Sequence, residues 1–143
     1  MPFIKTDIEG LVVFEPKVIE DSRGFFMESY NANSFLNEGG IGAKFVQDNR
    51  SMSHKGVIRG LHYQIGASAQ AKLVTVLKGE VIDFVVDCRK DSPTYKMSYQ
   101  ILLTEQNKKQ LFVCLMGFFI SINNSIVQSE WGFKHHLLFI RKS

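Results

Sequence analysis

The chain has 143 residues, with 17 Lys and Arg against 14 Asp and Glu for a net charge of +3, and 45% of its residues are apolar. That length suits a single domain, 1–143, able to bury a core without disulfides or metal, and the even spread of charge excludes the concentrated basic face of a nucleic-acid binder. Cys88 and Cys114 match no metal-ligand spacing, no apolar run approaches a membrane span, and Met1–Glu15 mixes charges into its apolar positions. The expectation is a soluble cytoplasmic chain with free thiols, bound to neither nucleic acid nor membrane.

Short alternating apolar runs, 12 phenylalanines and 11 glycines point to an all-β domain. In chain order, Asp21–Glu28 reads first as a strand with Arg23, Phe25 and Met27 on one face and Phe26 and Glu28 on the other. Asn31–Glu38 is the one helical stretch, stopped by Gly39-Gly40. Val46–Asn49 is extended, with Gln47 and Asn49 sharing a face. Lys72–Asp87 reads as two β-branched runs folded into a tight hairpin at Lys78-Gly79, and Met97–Leu103 pairs with Gln110–Val113 as a second hairpin. Such spacing suggests a closed or two-sheet β domain, a jelly roll among the candidates.

Two of these segments carry polar groups suited to a nucleotide. Phe26 can stack on a base, Glu28 can accept from a ring N–H, and Arg23 can reach a phosphate at the turn; an ordinary solvated edge strand explains the same residues. Gln47 and Asn49 offer amides to a pyrimidine or a phosphate oxygen, or simply form a polar turn. The stretch Arg59-Gly60-Leu61-His62-Tyr63-Gln64, followed by Lys72, unites two fixed cations and an imidazole. If a strand bearing His62 and Gln64 neighbours one bearing Lys72, the group could draw a proton from carbon beside a carbonyl: imidazole as base, ammonium on the enolate oxygen. A strand histidine is more often a packing residue than a catalytic one. His54, His135 and His136 form no HxH pair, so the chain lacks the usual ligand pattern of a metal-binding cupin.

Four ordered motifs resemble the dTDP-4-dehydrorhamnose 3,5-epimerase family of the dTDP-rhamnose pathway: DSRGFFMESY at Asp21–Tyr30, FVQDNRSMSHKGVIRGLHYQ at Phe45–Gln64, AKLVTVLKGEVIDFVVDCRKDSPTYKM at Ala71–Met97 and LTEQNKKQLFV at Leu103–Val113. The resemblance implies a metal-independent cupin jelly roll (a double-stranded β-helix), usually a homodimer that exchanges N-terminal strands. It implies epimerisation at C3 and C5 of a dTDP-4-keto-6-deoxy sugar without a cofactor. Carried over, His62 is the base and Lys72 the enolate-stabilising group. Arg59 and Arg23 take the diphosphate, Arg23 in the partner's site, Phe26 and Glu28 meet the thymine, and Gln47 and Asn49 complete the nucleotide contacts. A catalytically inactive nucleotide-sugar-binding cupin and a nucleotide-sugar ketoisomerase are the alternatives on the same fold.

The likeness covers 1–113 and lapses over the tail 114–143. The family continues with a proline, a variable residue and GFAHGF, then a strand bearing a tyrosine proton donor and an aspartate that orients the base. Here Val113 is followed by Cys114-Leu-Met-Gly-Phe-Phe-Ile-Ser121, and no tyrosine comes after Tyr99. Back-translated and read one base earlier, Cys114–Ile120 permits the family's PxGFxH, which suggests a frameshifted tail. On that reading the jelly roll lacks its last family strands, Leu137–Ile140 replaces them only approximately, and turnover is impaired.

Overall fold

A computed structural model describes residues 2–54, 56–114, 118–123 and 133–141, the last two stretches as backbone. The strands are β1 (Phe3–Lys5), β2 (Leu11–Phe14), β3 (Val18–Asp21), β4 (Gly24–Met27), β5 (Gln47–Ser53), β6 (Ile58–His62), β7 (Gln70–Lys78), β8 (Glu80–Asp87), β9 (Ser98–Thr104), β10 (Gln110–Val113), β11 (Phe118–Asn123) and β12 (Phe133–Arg141), with one α-helix, α1 (Ala32–Asn37). They form a six-stranded sheet, β1-β2-β10-β7-β12-β5, facing a four-stranded sheet, β6-β11-β8-β9, with β3 and β4 paired separately. This is the jelly roll, and the described residues contain no helix long and apolar enough to cross a membrane.

The alternation of side chains explains which sheet faces are covered. Val13, Val74, Val76, Leu111 and Val113 of the large sheet meet Val81, Val85 and Leu103 of the small one in the interior. The opposite parity of the large sheet, Val12, Phe14, Ala71, Leu73 and Phe112, packs outward against Phe35 and Ile41. Covered on both faces, β2 and β10 are buried at every position. In β8 buried positions alternate instead with half-buried ones, because only its inner face meets the core.

The helix begins and ends where the sequence predicts. The Asn31 side chain caps it by accepting from the Asn33 and Ser34 N–H groups, and Gly40, at φ 66°, turns the chain away. Phe35 then presses its ring against Phe3 and Phe14, with centroids 5.1 and 5.0 Å away.

Both predicted hairpins are corrected. Gly79 does turn the chain, at φ 79°, but β7 enters the large sheet and β8 the small one. Likewise β9 pairs with β8, whereas β10 lies between β2 and β7. Each apparent hairpin is a corner that carries the chain from one sheet to the other, since inward alternation is satisfied equally by a partner alongside or across the core. Within the tail, β11 joins β6 to β8, and β12 joins β5 to β7.

Candidate active site

Strand register decides which candidate side chains share the interior. On β6, Arg59 and His62 are three residues apart and would face opposite ways in a regular strand. They pair, however, with Ile122 and Ile120 of β11, two apart, so β6 carries a bulge. Gly60, at φ 107°, adopts the backbone that this extra residue requires. Ile122 and Ile120 pair on their other side with Asp83 and Val85. Arg59 and His62 therefore share the inward face of Asp83 and Val85.

The facing sheet supplies Lys72. It has the inward parity of Val74 and Val76, and its side chain is only 7% exposed. His62 and Lys72 thus approach from opposite sheets, not from neighbouring strands, and β6 ends at His62 before Gln64. Through β12, Lys72 also shares a row with Gln47, and Val74 shares one with Asn49. The Gln47 amide donates to Asn49 Oδ1 at 3.2 Å, as two residues on one face of a strand can. Arg59 closes the open side of the barrel: its Nε donates to Ser53 Oγ at 2.7 Å and its Nη2 to the Met52 carbonyl at 3.1 Å, tying β6 to β5.

Electrostatics couples the inner groups. Burial first, and then the Lys72 charge, pushes His62 below its ordinary value, so the imidazole is neutral and basic at neutral pH. Burial lowers Lys72 as well, opposed by Asp83. Asp83 is fully buried, and burial drives its carboxyl well above the usual range against the weaker pull of Lys72 and the Phe84 N–H. Among the described residues, neither Asp83 oxygen has a well-formed hydrogen bond. Asp83 is not among the residues nominated from sequence, yet its signal is visible there: an acid in the buried phase of Val81-Ile-Asp-Phe-Val85.

Three candidates lie elsewhere in the chain. Arg23 is in the β3–β4 turn, outside the strand predicted to hold it, and Asp21 holds it through a 2.5 Å ion pair. Phe26 is 71% exposed on β4, and Glu28, beyond that strand, accepts from the Asn31 amide at 3.1 Å. No described cluster of three His, Cys, Asp or Glu side chains could hold a metal. Neither Cys88 nor Cys114 is in a disulfide; burial raises the Cys114 thiol to about 11. The side chains of His135, His136 and Leu137–Ile140 lie outside the described residues, as do residues 115–117 of the back-translated segment.

Comparison with known proteins gives this geometry a lineage. Residues 5–130 match the sequence model of dTDP-4-dehydrorhamnose 3,5-epimerase. The Shigella flexneri enzyme of that name is 51% identical over 113 residues, 79% of this chain and 62% of the relative. The Methanothermobacter thermautotrophicus one is 46% identical over 111 residues, 78% of this chain and 59% of the relative. The chain therefore spans about three fifths of the length of the curated relatives it matches. Among solved structures, the Elizabethkingia anophelis epimerase superposes with a TM-score of 0.87 at 40% identity, covering 99% of this chain and 74% of the other. A dTDP-6-deoxy-D-glucose-3,5-epimerase from Legionella pneumophila, solved in complex with dTDP-4-keto-L-rhamnose, gives 0.87 and 40%, covering 99% and 72%. With ordered motifs, a shared jelly roll and a family match across most of its length, the chain belongs to the dTDP-4-dehydrorhamnose 3,5-epimerase family.

Proposed function

We propose that the chain acts as a cytoplasmic epimerase that converts dTDP-4-keto-6-deoxy-D-glucose to dTDP-4-keto-L-rhamnose by inverting C3 and C5. The observation that carries this reading is the convergence of neutral His62, from the small sheet, and Lys72, from the large one, inside a single barrel. The C4 ketone acidifies the hydrogens on both neighbouring carbons. His62 takes the proton from C3, the electron pair moves into the ketone, and Lys72 stabilises the enolate oxygen. Solvent water returns a proton to the opposite face of C3 and restores the ketone, the protonated His62 loses its proton to the hydroxide so formed, and repetition at C5 completes the conversion without a redox cofactor.

Binding falls to the remaining residues. Arg59, anchored by Ser53, binds the diphosphate, and Gln47 and Asn49 bind the nucleotide from the same interior. Arg23, Phe26 and Glu28 serve a second copy of the chain. The β3–β4 hairpin forms its own two-stranded sheet and leaves Ile19, Phe25 and Phe26 largely exposed, an apolar face that a homodimer would cover.

Incubation of the keto sugar nucleotide in deuterated water tests the proposal. Deuterium should enter C3 and C5 with formation of the L-rhamno product, and His62→Ala should abolish it. dTDP binding without exchange would instead make the chain a nucleotide-sugar-binding cupin, and a displaced carbonyl would make it a ketoisomerase.

A further inference from the structure

Asp83 is a buried ionisable group to which the proposed epimerase mechanism gives no role. It lies on β8 between Val81 and Val85, both in the interior cluster that also contains Val74 of β7, two residues from Lys72. Through Ile122 it shares a row with Arg59. An acid in such a place is costly unless a cation compensates it. We propose that Asp83 is a positioning residue for Lys72, acting as its buried counter-ion so that the ammonium stays charged beside His62 for the enolate oxygen.

The surroundings favour Lys72 as the partner. Around Lys72, β6 contributes His62 and Arg59, and β8 contributes Asp83. From β10 the inward positions are Leu111 and Val113, and from β5 they are Gln47 and Asn49, all uncharged. In the Lys72 row β12 places Phe139, with Arg141 two positions on, and β11 places Ile120 and Ile122 in the rows of His62 and Asp83. The same buried phase of β8 holds a second acid, Asp87, but Arg89, Ser92 and Thr94 occupy its carboxylate, and β9 places Ile101 beside Asp83, so Asp83 is the acid that acts on Lys72. A charged His62 pushes Lys72 toward neutrality, as Lys72 does His62, and burial does the same. Asp83 opposes both.

This assignment rests on the epimerase reading for its purpose, but its test does not need turnover. In the full chain labelled with ¹³C-lysine and ¹³C-aspartate, NMR follows the Lys72 Cε and Asp83 Cγ shifts against pH without substrate. In the unaltered protein the Asp83 signal should respond at the Lys72 midpoint; an Asp83 signal indifferent to it overturns the proposal. Asp83→Asn should lower the Lys72 midpoint by about one pH unit, a tenfold change in its ionisation constant. Asp83→Glu should restore most of that shift. An unchanged midpoint in the asparagine variant overturns the assignment. If the chain exchanges the sugar hydrogens, the alkaline limb of the exchange profile should fall at lower pH in Asp83→Asn by the same amount. If the midpoint shifts while the unaltered chain exchanges nothing, the counter-ion role stands and the epimerase reading fails.

Discussion

Substituting alanine for Gly60 tests the link between backbone conformation and chemistry. The bulge at Gly60 lets Arg59 and His62, three residues apart, face the same interior. At φ 107° an alanine has two recourses. It can keep the bulge and bear a strained backbone, costing about 1–3 kcal/mol of stability. Alternatively, β6 can relax into regular pairing with β11, which turns either Arg59 or His62 to the outer face. Expulsion of His62 removes the base, a loss of about 10²–10⁴-fold in exchange rate; expulsion of Arg59 breaks its bond to Ser53 and weakens diphosphate binding. Urea unfolding measures the first course, and solvent-deuterium exchange with dTDP titration measures the second. Gly40→Ala is the control: its φ is also positive, at 66°, with open space where the Cβ would go, but it follows α1, away from the site. It should cost about 1–2 kcal/mol and leave exchange unaltered. A Gly60→Ala chain with native stability, dTDP affinity and exchange would refute the argument from the bulge.

Three further outcomes follow from individual contacts. Ser53→Ala removes the acceptor of the Arg59 Nε–H and should weaken dTDP binding about tenfold by calorimetry, the order of one charge-assisted bond, without moving the His62 titration. Lys72→Met should raise the His62 midpoint, followed through its Cε1 proton, but not to the ordinary 6.5, because burial is the larger cause of its depression. Since the folded value is the lower one, the His62 contribution favours the native state above pH 6.5 and is lost as pH falls through the folded value. Arg89→Ala tests the fully buried Asp87. Burial opposes its charge, but hydrogen bonds from Arg89, Ser92 and Thr94 prevail and hold it far below the usual carboxylate range. The variant should lose about 3–5 kcal/mol at neutral pH. That gap should be fully open above 3.8 and narrow as pH falls toward the folded value; a gap independent of pH would exclude the ion pair as its source.

Local instructions in this sequence are clear where one residue dictates one backbone event. Asn31 and Gly39-Gly40 delimit α1 because a capping amide and a residue tolerant of positive φ act at a single point. Strand pairing at Gly79 is not legible, since Val74 and Val81 bury equally well whether β7 and β8 lie side by side or face each other. Closing the barrel resolves that choice through contacts distant in sequence.

The same distinction explains the site. Arg59, His62 and Lys72 can be nominated by chemical type, but their convergence depends on a bulge and on opposing sheets. The glycine of Arg59-Gly60-Leu61-His62 is the available clue, because an isolated glycine within a strand pattern signals an irregular ladder. Asp83 requires one further step. Once β7 and β8 face each other, parity puts Lys72 and Asp83 on the same interior, and two buried residues that each look like errors in an alternating strand become one compensated pair. Neither strand alone could reveal the pair, because the violation on β7 is explained only by the violation on β8.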